Sequence, residues 1–165
     1  MTDLIPPQLI RRMPEEAPGA EPAGRACPVA RLRQRLRDAG LRPTRQRMLL
    51  GWFIFEQGDQ HITAEDLFAH TRDMKGAFSL ATVYNTLNQF SEAGLLRKVL
   101  TLGEKTIFDT HVGNHHHFLL EDAGQVVDIP DDRLDIGRLP EPPKGYRIAG
   151  VDVVIRLVPD MEAMS

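Results

Sequence analysis

One cysteine, Cys27, occurs in 165 residues. A lone thiol can close no internal disulfide and cannot build a four-cysteine zinc site. No apolar run approaches membrane-spanning length, and the first residues show no basic segment followed by an apolar core. These absences predict a cytoplasmic protein with no membrane partner. No nucleophile motif appears either, and no Glu or His is obviously placed as a general base, which argues against an enzyme. With 42% hydrophobic and 26% charged residues, the chain has a globular composition and length for one domain or two small ones.

The net charge of −3 conceals an asymmetry. Residues 28–105 carry twelve Lys and Arg against eight Asp and Glu, whereas residues 106–165 carry five against eleven. A basic half joined to an acidic half points to polyanion binding in the first and another task, such as metal binding or pairing, in the second.

Residues 1–28 hold six prolines without sustained periodicity and predict a mobile arm. The arm ends in Cys27-Pro28, an exposed thiol with a stiff neighbour, suited to axial thiolate ligation of haem iron. Val29, Leu32, Leu36 and Ala39 then form a stripe stopped by Gly40, which predicts a helix over 29–39. Thr44 can cap a second helix running to about Glu56. Arg42, Arg45 and Arg47 crowd its first turn, where they oppose the helix dipole. Nearby phosphates would compensate that placement; a solvated charged loop is the alternative. Gly58 to Gln60 read as a turn. Thr63, followed by Glu65 and Asp66, caps a third helix carrying Leu67, Phe68 and Met74 and ending at Gly76.

The organising stretch runs from Ser79 to Leu96. Ser79 is a good N-cap and Gly94 stands where a left-handed C-terminal cap belongs. Leu80, Val83, Leu87, Phe90 and Ala93 make one apolar stripe. Thr82, Asn85, Thr86 and Gln89 lie elsewhere on the cylinder with Tyr84, on a face poor in Glu and Lys. Asn and Gln can pair bidentately with adenine, and Thr methyls and aromatic rings pack on thymine, so a helix in the DNA major groove is one reading. An ordinary amphipathic helix is the other. Leu95–Leu100 and Lys105–Phe108 read as a hairpin turning near Gly103. Helix-turn-helix order followed by a hairpin predicts an α+β chain with a winged-helix DNA-binding domain at 29–108.

A hinge at 109–114 follows. Strands at His117–Leu120 and Val126–Ile129 flank the Glu121–Gly124 turn, residues 131–138 offer a short helical segment, and alternating Val151, Val153, Ile155 and Leu157 predict a strand within Tyr146–Val158. So small an α/β domain, over 115–165, buries little alone, which predicts pairing with a second copy. His115-His116-His117, with His111 and Asp109 before it, gathers donors suited to a divalent first-row metal. On a strand, His115 and His117 share a face and His116 takes the other. Surface histidines without a ligand are the alternative.

Thr63-Ala64-Glu65-Asp66-Leu67, the run from Ser79 to Leu87, Ala93-Gly94-Leu95, Phe108-Asp109 and the histidine triplet, in that order, resemble the ferric uptake regulator family over roughly residues 29–158. Arg42-Pro43-Thr44-Arg45-Gln46-Arg47, Tyr84-Asn85-Thr86-Leu87-Asn88, the full triplet and Cys27-Pro28 make the chain similar to its iron response regulator branch. The resemblance implies a homodimer, mainly a repressor, with an N-terminal winged helix and a C-terminal α/β dimerisation domain. It would bind double-stranded, AT-rich operators of iron and haem metabolism genes. Arg42, Arg45 and Arg47 would then meet the DNA backbone, Tyr84 and Asn85 would stand near base edges, and Ser79 and Thr82 would belong to the same DNA-binding set. It further implies a sensing site between the domains for Fe2+, Mn2+ or Zn2+, at His61, Asp109, His115, His116 and His117, and haem contacts at Cys27 and His115 to His117. A second family metal site would add Asp135, but it also requires a C-terminal histidine that this chain lacks. The paired Cys-x-x-Cys motifs of many relatives are absent, so no structural zinc is expected. The competing readings are a divalent-metal repressor without haem control, a metal-dependent hydrolase, and a storage module.

Overall fold

A computed structural model describes residues 27–56, 58–72, 78–99, 105–130 and 133–160. They form two compact units of a mixed α/β chain, the first reaching Val99 and including Lys105–Val112, the second beginning at Gly113.

In the first unit, α1 (Pro28–Asp38) and α2 (Arg45–Phe55) pack side by side. Pro28 is the first helical residue and Cys27 the N-cap, so the helix starts one position before the predicted 29, with the missing proline N–H costing nothing there. Gly51 permits the close approach of these helices: a Cβ on it would stand 3.1 Å from Leu32 Cδ1. The Thr44 hydroxyl accepts from the Arg47 amide at the start of α2. At its other end the Gln60 side chain donates to the Phe53 and Ile54 carbonyls, satisfying two acceptors that the helix leaves open. α3 (Ala64–Thr71) opens with a reciprocal capping box between Thr63 and Asp66. It ends before Met74 and Gly76, which lie outside the described residues.

α4 (Leu80–Glu92) fills the span predicted for it, capped by Ser79, and Gly94 takes a φ of +72°. Val83, Leu87 and Phe90 are fully buried, and they meet Leu32, Leu36, Leu50, Ile54, Leu67 and Phe108 in one core. Thr86, expected on the polar face, is fully buried as well. Its Oγ1 donates to the Thr82 carbonyl and accepts from Gln46 Nε2, so a polar side chain occupies the inward position one turn after Val83.

Three short strands complete the unit: β1 (His61–Thr63), β2 (Arg97–Val99) and β3 (Ile107–Asp109), in the order β1-β3-β2, all antiparallel. The β2–β3 hairpin was expected; its turn near Gly103 lies outside the described residues. β1 was not expected, and β3 extends through Asp109, which the sequence reading placed in a hinge.

In the second unit β4 (His116–Leu120) pairs antiparallel with β5 (Gln125–Ile129) and parallel with β6 (Val154–Leu157). β6 is much shorter than the Tyr146–Val158 expectation; among the described residues it pairs with β4 over four rows, His117 to Leu120. Of the segment 131–138 expected to be helical, residues 131 and 132 lie outside the described residues, Arg133 stands in a 3-10 turn with its amide donating to the Pro130 carbonyl at 2.8 Å, and 134–138 form no helix. There the Asp135 carboxylate accepts from the Gly137 amide, a local bond that competes with helix formation.

Candidate metal centre and nucleic-acid interface

β1 is three residues long, yet it places His61 directly opposite Asp109 of β3. His61 Nε2 stands 3.7 Å from Asp109 Oδ2. Asp109 is only 1% exposed, and its other oxygen accepts from the His111 amide, so one carboxylate oxygen is oriented and the other faces the imidazole. Gln60 and Thr110 flank this pair and bond to each other through Gln60 N–H to Thr110 Oγ1, at 2.9 Å, and Thr110 N–H to the Gln60 carbonyl, at 3.2 Å.

The second unit has its own donor set. His115 and His117 are both 3% exposed, with ring centroids 4.5 Å apart in an edge-to-face arrangement. Their Nε2 atoms lie 3.4 and 3.5 Å from the same atom, Asp128 Oδ1. The β4–β5 register sets Asp128 opposite His117. His115 Nδ1 is 2.9 Å from the Gly113 carbonyl, which accepts its proton and leaves Nε2 as the lone-pair donor.

These distances can be compared with what an ion requires. Imidazole nitrogens and carboxylate oxygens bind first-row ions at about 2.1 Å, so two donors at the tetrahedral angle stand about 3.4 Å apart. Both donor sets match that spacing, and each of the five residues offers one ligand atom. Neutral imidazole and carboxylate suit Fe2+, Mn2+ or Zn2+.

Among the predicted ligands, His116 departs from the set. It occupies the neighbouring row of β4, and its Nδ1 accepts from the Val153 amide at 3.4 Å. Asp135 holds the Gly137 amide in an exposed loop and is no member of either donor group. Cys27 is exposed at the start of α1. Asp128 escaped the sequence reading. The signal was present, because a four-residue turn at 121–124 pairs position 117 with 128, and an acid stands there in an otherwise apolar Val-Val-Asp-Ile run.

On the first unit, the residues expected to meet DNA divide into two kinds. Arg42, Arg45 and Asn85 are exposed. Ser79 and Thr82 instead bond to each other, the Ser79 hydroxyl accepting from the Thr82 amide at 3.2 Å and sharing a 2.9 Å bond with its hydroxyl. Tyr84 is half-buried against the core, and its hydroxyl donates to Glu65 Oε1 at 3.4 Å. Burial raises the Tyr84 pKa above its ordinary value, and the Glu65 charge and hydrogen bond push the same way. Arg47, predicted on the DNA backbone, directs Nε and Nη2 at Gln89 Oε1, at 3.2 and 2.9 Å, and Nη1 at the Arg42 carbonyl, at 2.9 Å.

Comparison with known proteins places the chain among the metal-responsive transcription regulators, a class of regulators and not of enzymes, so the hydrolase reading falls. More narrowly, it belongs to the ferric uptake regulator family, whose model matches residues 38–155. It is 37% identical over 103 residues to the ferric uptake regulation protein of Vibrio parahaemolyticus, covering 62% of this chain and 69% of that one. Its structure resembles that of the Vibrio cholerae ferric uptake regulator, with a TM-score of 0.60 at 26% identity over 76% of this chain and 98% of that one. The ferric uptake regulator from Pseudomonas aeruginosa with manganese is similar at a TM-score of 0.58 and 27% identity, over 78% of this chain and 97% of that one.

Proposed function

We propose that this chain is a repressor of the iron response regulator branch that binds AT-rich operators of iron and haem metabolism genes as a cytoplasmic homodimer. DNA binding is set by a divalent metal and undone by haem. The observation that carries the metal dependence is the convergence of His115 and His117 on one oxygen of Asp128 at ligand spacing. His61 and Asp109 form a second His–carboxylate set of the same chemistry. When bound, the ion supplies positive charge that holds these side chains together. The manganese in the Pseudomonas aeruginosa relative supports the choice of a divalent ion.

The first unit has winged-helix order, with α4 the major-groove helix, Asn85 and Tyr84 toward base edges, and Arg42 and Arg45 toward phosphates. The dimer is supported by one face of the second sheet. Phe118, Val127 and Ile155 form one row, Leu120 and Leu157 another, and Val127 is 47% exposed. Haem control is supported by Cys27, an exposed thiol able to act as a thiolate ligand, and by the histidine triplet.

The test is selection of duplexes from a random pool by the full chain with manganese, repeated after adding EDTA and after adding haem. AT-rich palindromes recovered with manganese and released by both additions are the expected result. Recovery that ignores metal refutes metal control, and recovery that ignores haem moves the chain to the divalent-metal repressor reading.

A further inference from the structure

The N-terminal turn of α2 grips α4 at two points one turn apart. Gln46 Nε2 donates to Thr86 Oγ1, and the next residue, Arg47, forks onto Gln89 Oε1 with two nitrogens while its third nitrogen donates to the Arg42 carbonyl. Thr86 is fully buried at the first grip, while Gln46, Arg47 and Gln89 sit half-buried at the edge of the same helix pair. Positions 86 and 89 lie on adjacent turns of one side of α4, so together the two bonds resist both sliding and rotation of that helix against α2. The Arg42 bond extends the clamp into the loop before α2, which carries the exposed Arg42.

We propose that Arg47 is a positioning residue for sequence reading and not a phosphate contact. With Gln89 it sets where Asn85 stands relative to Arg42 and Arg45. A guanidinium fork suits this task because its planar, rigid geometry fixes the acceptor's direction, which a lysine ammonium does not. All three guanidinium nitrogens face protein oxygens, so the group has a structural use before DNA arrives. The inference rests on the reading of α4 as the base-contacting helix.

The experiment uses the full chain with manganese, an operator duplex selected by that chain, and a scrambled duplex of equal composition, with affinities measured over a range of salt. Arg47→Met and Gln89→Ala should each reduce the preference for the selected duplex by about tenfold, the scale of one lost base contact. The slope of log affinity against log salt should stay unchanged in both. The double variant should lose no more than either single one, and Arg47→Lys should fail to restore preference. Thermal melts keep misfolding apart from mispositioning, because a smaller folded fraction lowers both affinities equally and leaves their ratio intact. A slope shallower by about one unit, with equal weakening on both duplexes, would identify Arg47 as a phosphate contact and overturn the proposal. Losses that add in the double variant overturn it too. Asn85→Ala serves as the control. If it abolishes preference while Arg47→Met does not, positioning alone is wrong; if it leaves preference intact, α4 does not read bases and the proposal falls with that reading.

Discussion

Asp128 stands between Val127 and Ile129, and one oxygen of its carboxylate faces both buried imidazoles at 3.4 and 3.5 Å, a spacing right for two ligands of one ion. Removing a ligand should cost at least the tenfold to hundredfold that lost supporting groups typically cost. Asp128→Ala is therefore expected to weaken manganese binding by about a hundredfold in a chelator competition, whereas Asp135→Ala changes nothing there. Tyr84 gives a second prediction. Burial first, and Glu65 second, favour its neutral form. In a Tyr146→Phe background, ultraviolet titration should find its midpoint above the ordinary value of about 10, and Glu65→Gln should lower it part of the way. Because the folded pKa is the raised one, the associated stability is complete below about pH 10 and is lost as pH rises through the folded value. The individual side chains were unevenly legible in sequence. His115 and His117 announced themselves by type, but Thr86 did not, since it occupies the apolar i+3 position after Val83 with a polar residue whose burial depends on Gln46, forty positions away.

The helices were readable because their ends are written in local chemistry. Ser79, Thr63 and Thr44 each cap through an oxygen that accepts from an amide three residues on, and no distant contact is needed to recognise the pattern. Ser79→Ala should consequently cost about 1 kcal/mol of stability, seen as a lower melting temperature, while leaving the ratio of affinities for selected and scrambled DNA unchanged. A changed ratio would give Ser79 a direct part in DNA binding. β1 was illegible for the opposite reason. Three residues carry no usable period, and His61 becomes a strand residue only through pairing with Asp109, 48 positions later. The helical segment expected at 131–138 does not continue past the 3-10 turn at Arg133, because Asp135 and Gly137 form a local turn instead of the next helical bond.

The whole chain divides by charge much as it divides by structure: the helical unit carries the basic excess and the sheet unit the acidic one. Salt should therefore weaken DNA binding steeply while leaving self-association little changed. The chain is expected to sediment as a dimer at micromolar concentration, and Val127→Asp combined with Leu157→Asp should yield monomers whose first unit melts as before. A monomeric wild-type chain, with or without manganese, would refute the dimer. The parallel pairing of β6 with β4 bears on how the protein is made. β4 and β5 are joined by a four-residue turn and can zip together within moments of emerging, but β6 arrives only after the long stretch of chain between Ile129 and Val154 has been synthesised. Closing that loop carries an entropic cost that a tight hairpin avoids, and non-local parallel pairing is slow. Until β6 docks, one edge of β4 stays open to strands of neighbouring nascent chains. Translation thus leaves an interval in which the histidine-bearing strand is finished on one side only, and pulse-labelled hydrogen exchange should find the β4–β5 amides protected before those of β6.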